Sequence, residues 1–211
     1  MEQNPTENLT PFRYFILNKP YNMVSQFISS HKVKLLGDLE FDFPEGTHAV
    51  GRLDINSEGL LILTTNKKVT RLLFEGDIKH TRTYLVLVEN KVSEETLDNL
   101  RNGVTIRVKG GGDYTTTPCE VDLVEKPENL FEGGYKFSEY KAYTWLQLKL
   151  TEGKFRQVRK MVAAVRHPCK RLIRVAIEDL TLKNLQPGCI QELEENEFFE
   201  LLNIENFKNE L

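Results

Sequence analysis

Gly51-Arg52-Leu53-Asp54-Ile55-Asn56-Ser57-Glu58-Gly59-Leu60-Leu61-Ile62-Leu63-Thr64-Thr65-Asn66 sets one carboxylate, Asp54, in a glycine-bounded loop ahead of an apolar run. Leu60 to Leu63 predicts a buried strand. A strand of this kind fixes a loop while the loop exposes its side chains, and binding and catalytic groups concentrate in such places. Three chemistries compete for the loop. Asp54, Asn56, Glu58 and Gly59 match the start of a calcium-binding loop, but Thr65 stands where the closing bidentate carboxylate belongs. Asp54 and Glu58 also form a candidate pair for glycoside acid–base work, although no aromatic sugar platform surrounds them. The third chemistry is a lone nucleophilic carboxylate in an RNA-modifying site. Against all three stands a plain turn aspartate, bonded to neighbouring amides.

Outward from this loop the chain alternates strands and short helices. Arg13 to Asn18 predicts a first strand, closed by Lys19-Pro20, and His48-Ala49-Val50 leads into the Asp54 loop. Residues 21–47 read as irregular, with a short buried turn around Val33 to Leu39. Asn66 is placed to cap a helix running to Glu75 and stopped by Gly76. Tyr84 to Val88 is a further strand. Ser93 caps a helix that ends at Gly103, with Glu94 and Glu95 at its positive end. Gly110 to Asp113 is a turn, without the context of a phosphate loop. Residues 125–142, with proline, paired glycines and mixed charges, read as an inserted surface loop. Trp145 to Leu150 alternates as a half-buried strand should. Val158, Met161, Val162 and Val165 form an apolar stripe on a helix starting near Phe155. Leu172–Ile177 and Leu180–Leu182 are late strands, and Glu194–Asn203 is a final helix. Strands outnumber helices, which predicts an α+β domain with a large mixed or mostly antiparallel sheet.

Composition narrows the class. The chain has 211 residues, 40% hydrophobic and 28% charged, as expected of a globular protein with a real core. No run approaches the roughly 18 apolar residues of a membrane span, and the polar stretch Met1 to Pro11 is not a signal peptide. Cys119, Cys169 and Cys189 are few and scattered, which argues against a disulfide framework or zinc site and for a reduced, cytoplasmic setting. The net charge of −3 hides an asymmetry. Between Glu152 and Arg174 there are eight basic residues and one acid, whereas Ile190 to Leu211 holds seven acids and one base. The basic stripe is suited to phosphates, and its bland alternative is a solvated helix face.

Four segments occur in an order that resembles one family. They are Asn18-Lys19-Pro20, the Asp54 stretch, His80-Thr81-Arg82-Thr83-Tyr84-Leu85-Val86, and Thr151-Glu152-Gly153-Lys154-Phe155-Arg156-Gln157-Val158-Arg159-Lys160-Met161 with the downstream Arg171-Leu172-Ile173-Arg174-Val175. Together they resemble the pseudouridine synthases of the RsuA/RluB/RluE type over about residues 13–193. Thr117-Pro118-Cys119-Glu120-Val121 and Val124-Glu125-Lys126-Pro127-Glu128 look most like the RluE branch.

The resemblance implies the pseudouridine synthase fold, with its large sheet in two subdomains, flanking helices and an active-site cleft between them. It implies a catalytic domain over 13–205 without an N-terminal S4 RNA-binding module, preceded by a disordered lead at 1–12 and followed by a tail at 206–211. The implied reaction breaks the C1′–N1 bond of a uridine, turns the base and joins C5 to C1′, with no cofactor and no metal. Asp54, Tyr84 and Lys154 are the implied catalytic residues. Asp54 acts as nucleophile or base and Lys154 pairs with it, an adjacent cation favouring the carboxylate. Tyr84 stacks on the flipped uracil. Arg52, Arg82, Arg156, Arg159 and Lys160 are implied RNA contacts, Arg52 by filling the vacated stack. Arg82 departs from the lysine that many relatives carry there. The implied substrate is a uridine of large-subunit ribosomal RNA near the peptidyl-transferase region, acted on by a monomer. The 125–142 insertion and the basic helix are the expected sources of RNA affinity. An alternative from another class is an rRNA-binding ribosome-assembly factor whose catalysis is dispensable.

Overall fold

The strand predicted from Leu60 to Leu63 lies inside the main sheet and is buried along its whole length. The computed structural model describes residues 11–76, 78–135, 137–138, 140–205 and 207. In chain order, β1 (Tyr14–Lys19), β2 (His48–Val50) and β3 (Glu58–Thr64) lead to α1 (Val69–Phe74), β4 (Arg82–Glu89) and α2 (Glu94–Asn102). Then come β5 (Thr105–Arg107), β6 (Asp113–Thr115), β7 (Glu120–Val124) and β8 (Tyr143–Leu150). The chain closes with α3 (Gln157–Ala164), β9 (Cys169–Ile177), β10 (Leu180–Thr181), β11 (Ile190–Leu193) and α4 (Glu195–Leu201). A main sheet runs β11-β1-β3-β9-β4-β8-β7, with β2 on β3 and β10 on β9, while β5 and β6 form a separate hairpin.

Every residue of β1 and β3 is buried, because both faces of these strands are covered. Tyr14, Ile16, Leu60 and Ile62 face a cluster with Phe198 and Phe199 of α4 and Leu73 of α1. Phe15, Leu17, Leu61 and Leu63 face the opposite way, onto Met23, Leu36 and Phe41 of the 21–47 segment. A third cluster joins Val86, Val88, Leu146 and Leu148 to α2 and α3 through Leu97, Leu100, Met161 and Val162.

The sheet changes character at β3. All its neighbours pair antiparallel except β9, which runs parallel for only Glu58↔Ile173 and Gly59↔Arg174. Gly59 makes the join possible. It holds φ +102°, and a Cβ there would lie 2.2 Å from the Arg174 carbonyl oxygen. The two halves of the sheet meet here, and the Asp54 loop sits at this seam.

Ser93 caps α2 by accepting from the Thr96 amide, and Gly103 ends it. Asn66 is offset from its expected role. α1 begins only at Val69, and the Asn66 side chain accepts from the Lys68 amide at 3.1 Å. The 125–142 segment forms no helix or strand among its described residues. It is nonetheless packed rather than free, with Leu130 and Phe131 against the apolar core. The expected lead at 1–12 lies outside the described residues except for 11 and 12, and the tail at 206–211 except for Phe207, which stacks on Phe199.

Candidate active site

The loop from Gly51 to Ser57 is gripped along its backbone. Ser25, buried, accepts from the Leu53 amide at 3.0 Å and donates to the Leu53 carbonyl at 3.1 Å. The Asn22 amide donates to the Ile55 carbonyl at 2.8 Å, and the Ser57 amide to that of Asp54 at 2.9 Å. Held in this way, Asp54 lines a cleft of about 390 Å³ with its side chain 22% exposed. That volume lies in the range of sites that enclose one small ligand or group.

Arg159, from the first turn of α3, faces Asp54. Its Nε lies 3.8 Å from Asp54 Oδ2, and its Nη2 donates to the Asn56 carbonyl at 2.5 Å and to Ser57 Oγ at 3.2 Å. The sequence leads us to expect Lys154 beside Asp54; among the described residues the ion pair at Asp54 is made by Arg159. Arg159 itself is turned inward and buried. Lys154 lines the cleft, but its ammonium sits 4.9 Å from the centre of the Tyr114 ring. The reason is local. The Gln157 side chain accepts from the Lys154 amide at 2.8 Å, so the turn before α3 directs Lys154 toward the β5–β6 hairpin.

Tyr84 and Arg82 enter the cleft from β4, and Arg174 enters from β9, opposite Tyr84 in register. Arg82 is buried over the Phe74 ring at 5.2 Å and donates to the His80 and Thr151 carbonyls. Burial, the larger effect, lowers its pKa, and neighbouring Arg174 adds to this. Arg52, exposed, also lines the cleft, as does Arg156, which takes up a left-handed conformation at φ 55°. Lys160 reaches across the exposed Phe155 ring and donates to the Arg107 carbonyl at 2.6 Å. Glu152 is the cleft's second acid. Burial opposes its ionisation, but bonds from Tyr114, the Thr117 amide and Gln157 outweigh that and hold its pKa below the ordinary value.

Glu58 is not available for chemistry. It is 1% exposed and accepts from Arg171 Nε at 2.8 Å and Nη2 at 3.2 Å. Both the glycoside-pair and calcium-loop readings of the stretch need this carboxylate, and Arg171 has taken it. Lys19 went unassigned in the sequence although its motif was legible. Its ammonium is buried, donates to the Pro20 and Met23 carbonyls at 2.9 and 2.6 Å, and titrates at about 8. Burial depresses it, and the fields of Glu58 and Asp54 partly restore it.

Asp54 and Tyr84 thus share one cleft with Arg52, Arg82, Lys154, Arg156 and Arg174, an excess of positive charge suited to an anionic ligand. The chain belongs to the RNA pseudouridylate synthase family, whose model matches residues 13–164. It is an RNA uridine isomerase. Among its relatives, ribosomal large subunit pseudouridine synthase E of Vibrio vulnificus (strain CMCP6) is 36% identical over 183 residues, covering 86% of this chain and 75% of the relative. The protein of the same name from Xanthomonas axonopodis pv. citri (strain 306) is 39% identical over 174 residues, covering 82% and 89%. A crystal structure described as pseudouridylate synthase matches the fold with a TM-score of 0.73 at 24% identity, covering 92% of this chain and 75% of the other. No helix among the described residues is long and apolar enough to cross a membrane.

Proposed function

We propose that this protein converts one uridine of large-subunit ribosomal RNA to pseudouridine, with Asp54 as the essential group. The observation that carries this reading is Asp54, paired with the buried Arg159, lining one cleft together with Tyr84. The names of the synthase E relatives support the large-subunit target. A uridine extruded into the cleft lays its base against Tyr84 and presents its glycosidic bond to the Asp54 carboxylate, which acts as nucleophile or base. Arg159 compensates the carboxylate charge and fixes its loop. Arg52 occupies the gap left in the RNA stack. Arg82, Lys154, Arg156 and Lys160 supply positive charge around the departing base, and exposed Phe155 adds a face on which a neighbouring base can stack. Residues 13–205 act as one catalytic domain, and the protein works as a cytoplasmic monomer.

The test gives unmodified large-subunit rRNA to the protein and to Asp54→Ala, and maps pseudouridine by chemical labelling and primer extension. One site filled by the intact protein and empty with Asp54→Ala is expected. Product made without Asp54, or on small-subunit rRNA alone, overturns the reading.

A further inference from the structure

The Asn56 carbonyl accepts two side-chain donors that arrive from different parts of the chain. One is Arg159 Nη2 at 2.5 Å and the other is Tyr135 Oη at 2.6 Å. Tyr135 belongs to the 125–142 segment, whose sequence suggests a surface loop grasping RNA. Its surroundings show a different job. The Tyr135 ring packs on Tyr21 with centroids 4.3 Å apart, and Tyr21 precedes Asn22, whose amide holds the Ile55 carbonyl. Arg171 lies over the Phe131 and Tyr135 rings at 5.0 and 5.9 Å and donates to the Phe131 carbonyl at 2.9 Å. The same arginine is paired with Glu58, the first residue of β3. Gly133 permits this packing, since a Cβ there would lie 2.8 Å from the Arg171 guanidinium carbon. Tyr135 is therefore fixed by groups adjoining those that hold the C-terminal half of the Asp54 loop, at Ile55 and Glu58. Burial, the largest effect, raises the pKa of its hydroxyl, which stays a proton donor through the neutral range.

We propose that Tyr135 is a positioning residue for the isomerisation, acting through the Asn56 carbonyl on Arg159 and thereby on Asp54. A carbonyl oxygen has two lone pairs. Tyr135 occupies one and confines Arg159 to the other, which sets the direction of the guanidinium toward Asp54. Small displacements of a reacting group cost large factors in rate. The 125–142 segment thus governs turnover rather than RNA affinity. The inference rests on the reading of Asp54 as the essential group.

Tyr135→Phe keeps the ring and its packing and removes only the donor. The single-turnover rate at saturating RNA is expected to fall roughly fivefold to tenfold, with the RNA Kd changed less than about twofold. Hydrogen exchange of the Leu53 to Ser57 amides, read on the protein without RNA, is expected to rise while the rest of the sheet is unchanged. That arm tests the brace even if the assigned rRNA substrate is wrong. Weaker RNA binding at an unchanged saturated rate would make the segment an RNA contact and overturn the proposal. Unaltered exchange in the loop would overturn it as well, whatever the rate.

Discussion

Arg159 approaches Asp54 to 3.8 Å while donating to the loop carbonyl two residues beyond it, so one side chain both neutralises the carboxylate and fixes the turn that carries it. Removing the guanidinium undoes both. Arg159→Met is expected to lower the rate at saturating RNA by about 100-fold, since a partly buried carboxylate loses its partner and its loop loses an anchor. Arg159→Lys restores charge without the fork and should recover only part of the loss. Equal rates for Met and Lys at this position would show that charge plays no part.

Lys154 should behave differently. Its ammonium rests on Tyr114, away from Asp54. Lys154→Met is expected to leave the saturated rate within about threefold and to reduce the salt slope of RNA binding by about 1, as for a single lost phosphate contact. A saturated rate as low as that of Asp54→Ala would return Lys154 to the chemistry.

Glu58→Gln probes the frame of the loop. The change leaves Arg171 buried without its charge partner, at a cost of about 3–5 kcal/mol. Urea unfolding followed by circular dichroism should register that loss. A variant of undiminished stability would mean that the Glu58–Arg171 pair contributes nothing to the seam.

Lys19 gives the protein a pH signature. Its pKa in the folded chain is about 8 against an ordinary 10.5, so between these values the unfolded chain binds more protons than the folded one. The contribution of Lys19 to stability therefore rises with pH through that window, by at most about 1.4 kcal/mol per unit, and is at its lowest below 8. Lys19→Met lacks this response. The difference between the two stability curves from pH 7 to 10 should narrow or widen in that direction only, and parallel curves would rule the effect out.

The sequence made the elements near Asp54 legible because their signals are local. A four-residue apolar run, Gly51 and Gly59 bounding the Asp54 loop, and a capping serine at α2 each declare themselves within a few residues. Short polar strands do not. β5 and β6 pair through the exposed Thr105 and Thr115, and their only sign was the Gly110-Gly111 turn between them. β11 was obscured by the acids around it. Asp54, Tyr84 and Lys154, singled out in the sequence, share one cleft, but the pairings within it were not legible. Lys154 and Arg159 stand five residues apart on one basic stripe, and only the direction of the α3 entry decides which meets Asp54. Tyr135 was hidden in a segment whose composition reads as solvent-exposed, because its contacts are with β9 and with the turn after β1.

β1 lies between β3 and β11, and Arg13 is clasped by Glu192, a partner 179 residues later in the chain. Translation therefore releases the Asp54 loop early and its supports late. Tyr135, then Arg159, then the strand that completes the sheet edge must emerge before the loop is held as described. A chain that stops after β4 has the Asp54 loop but none of the bonds that Tyr135 and Arg159 make to its Asn56 carbonyl, and the sheet edge that β11 completes is still missing.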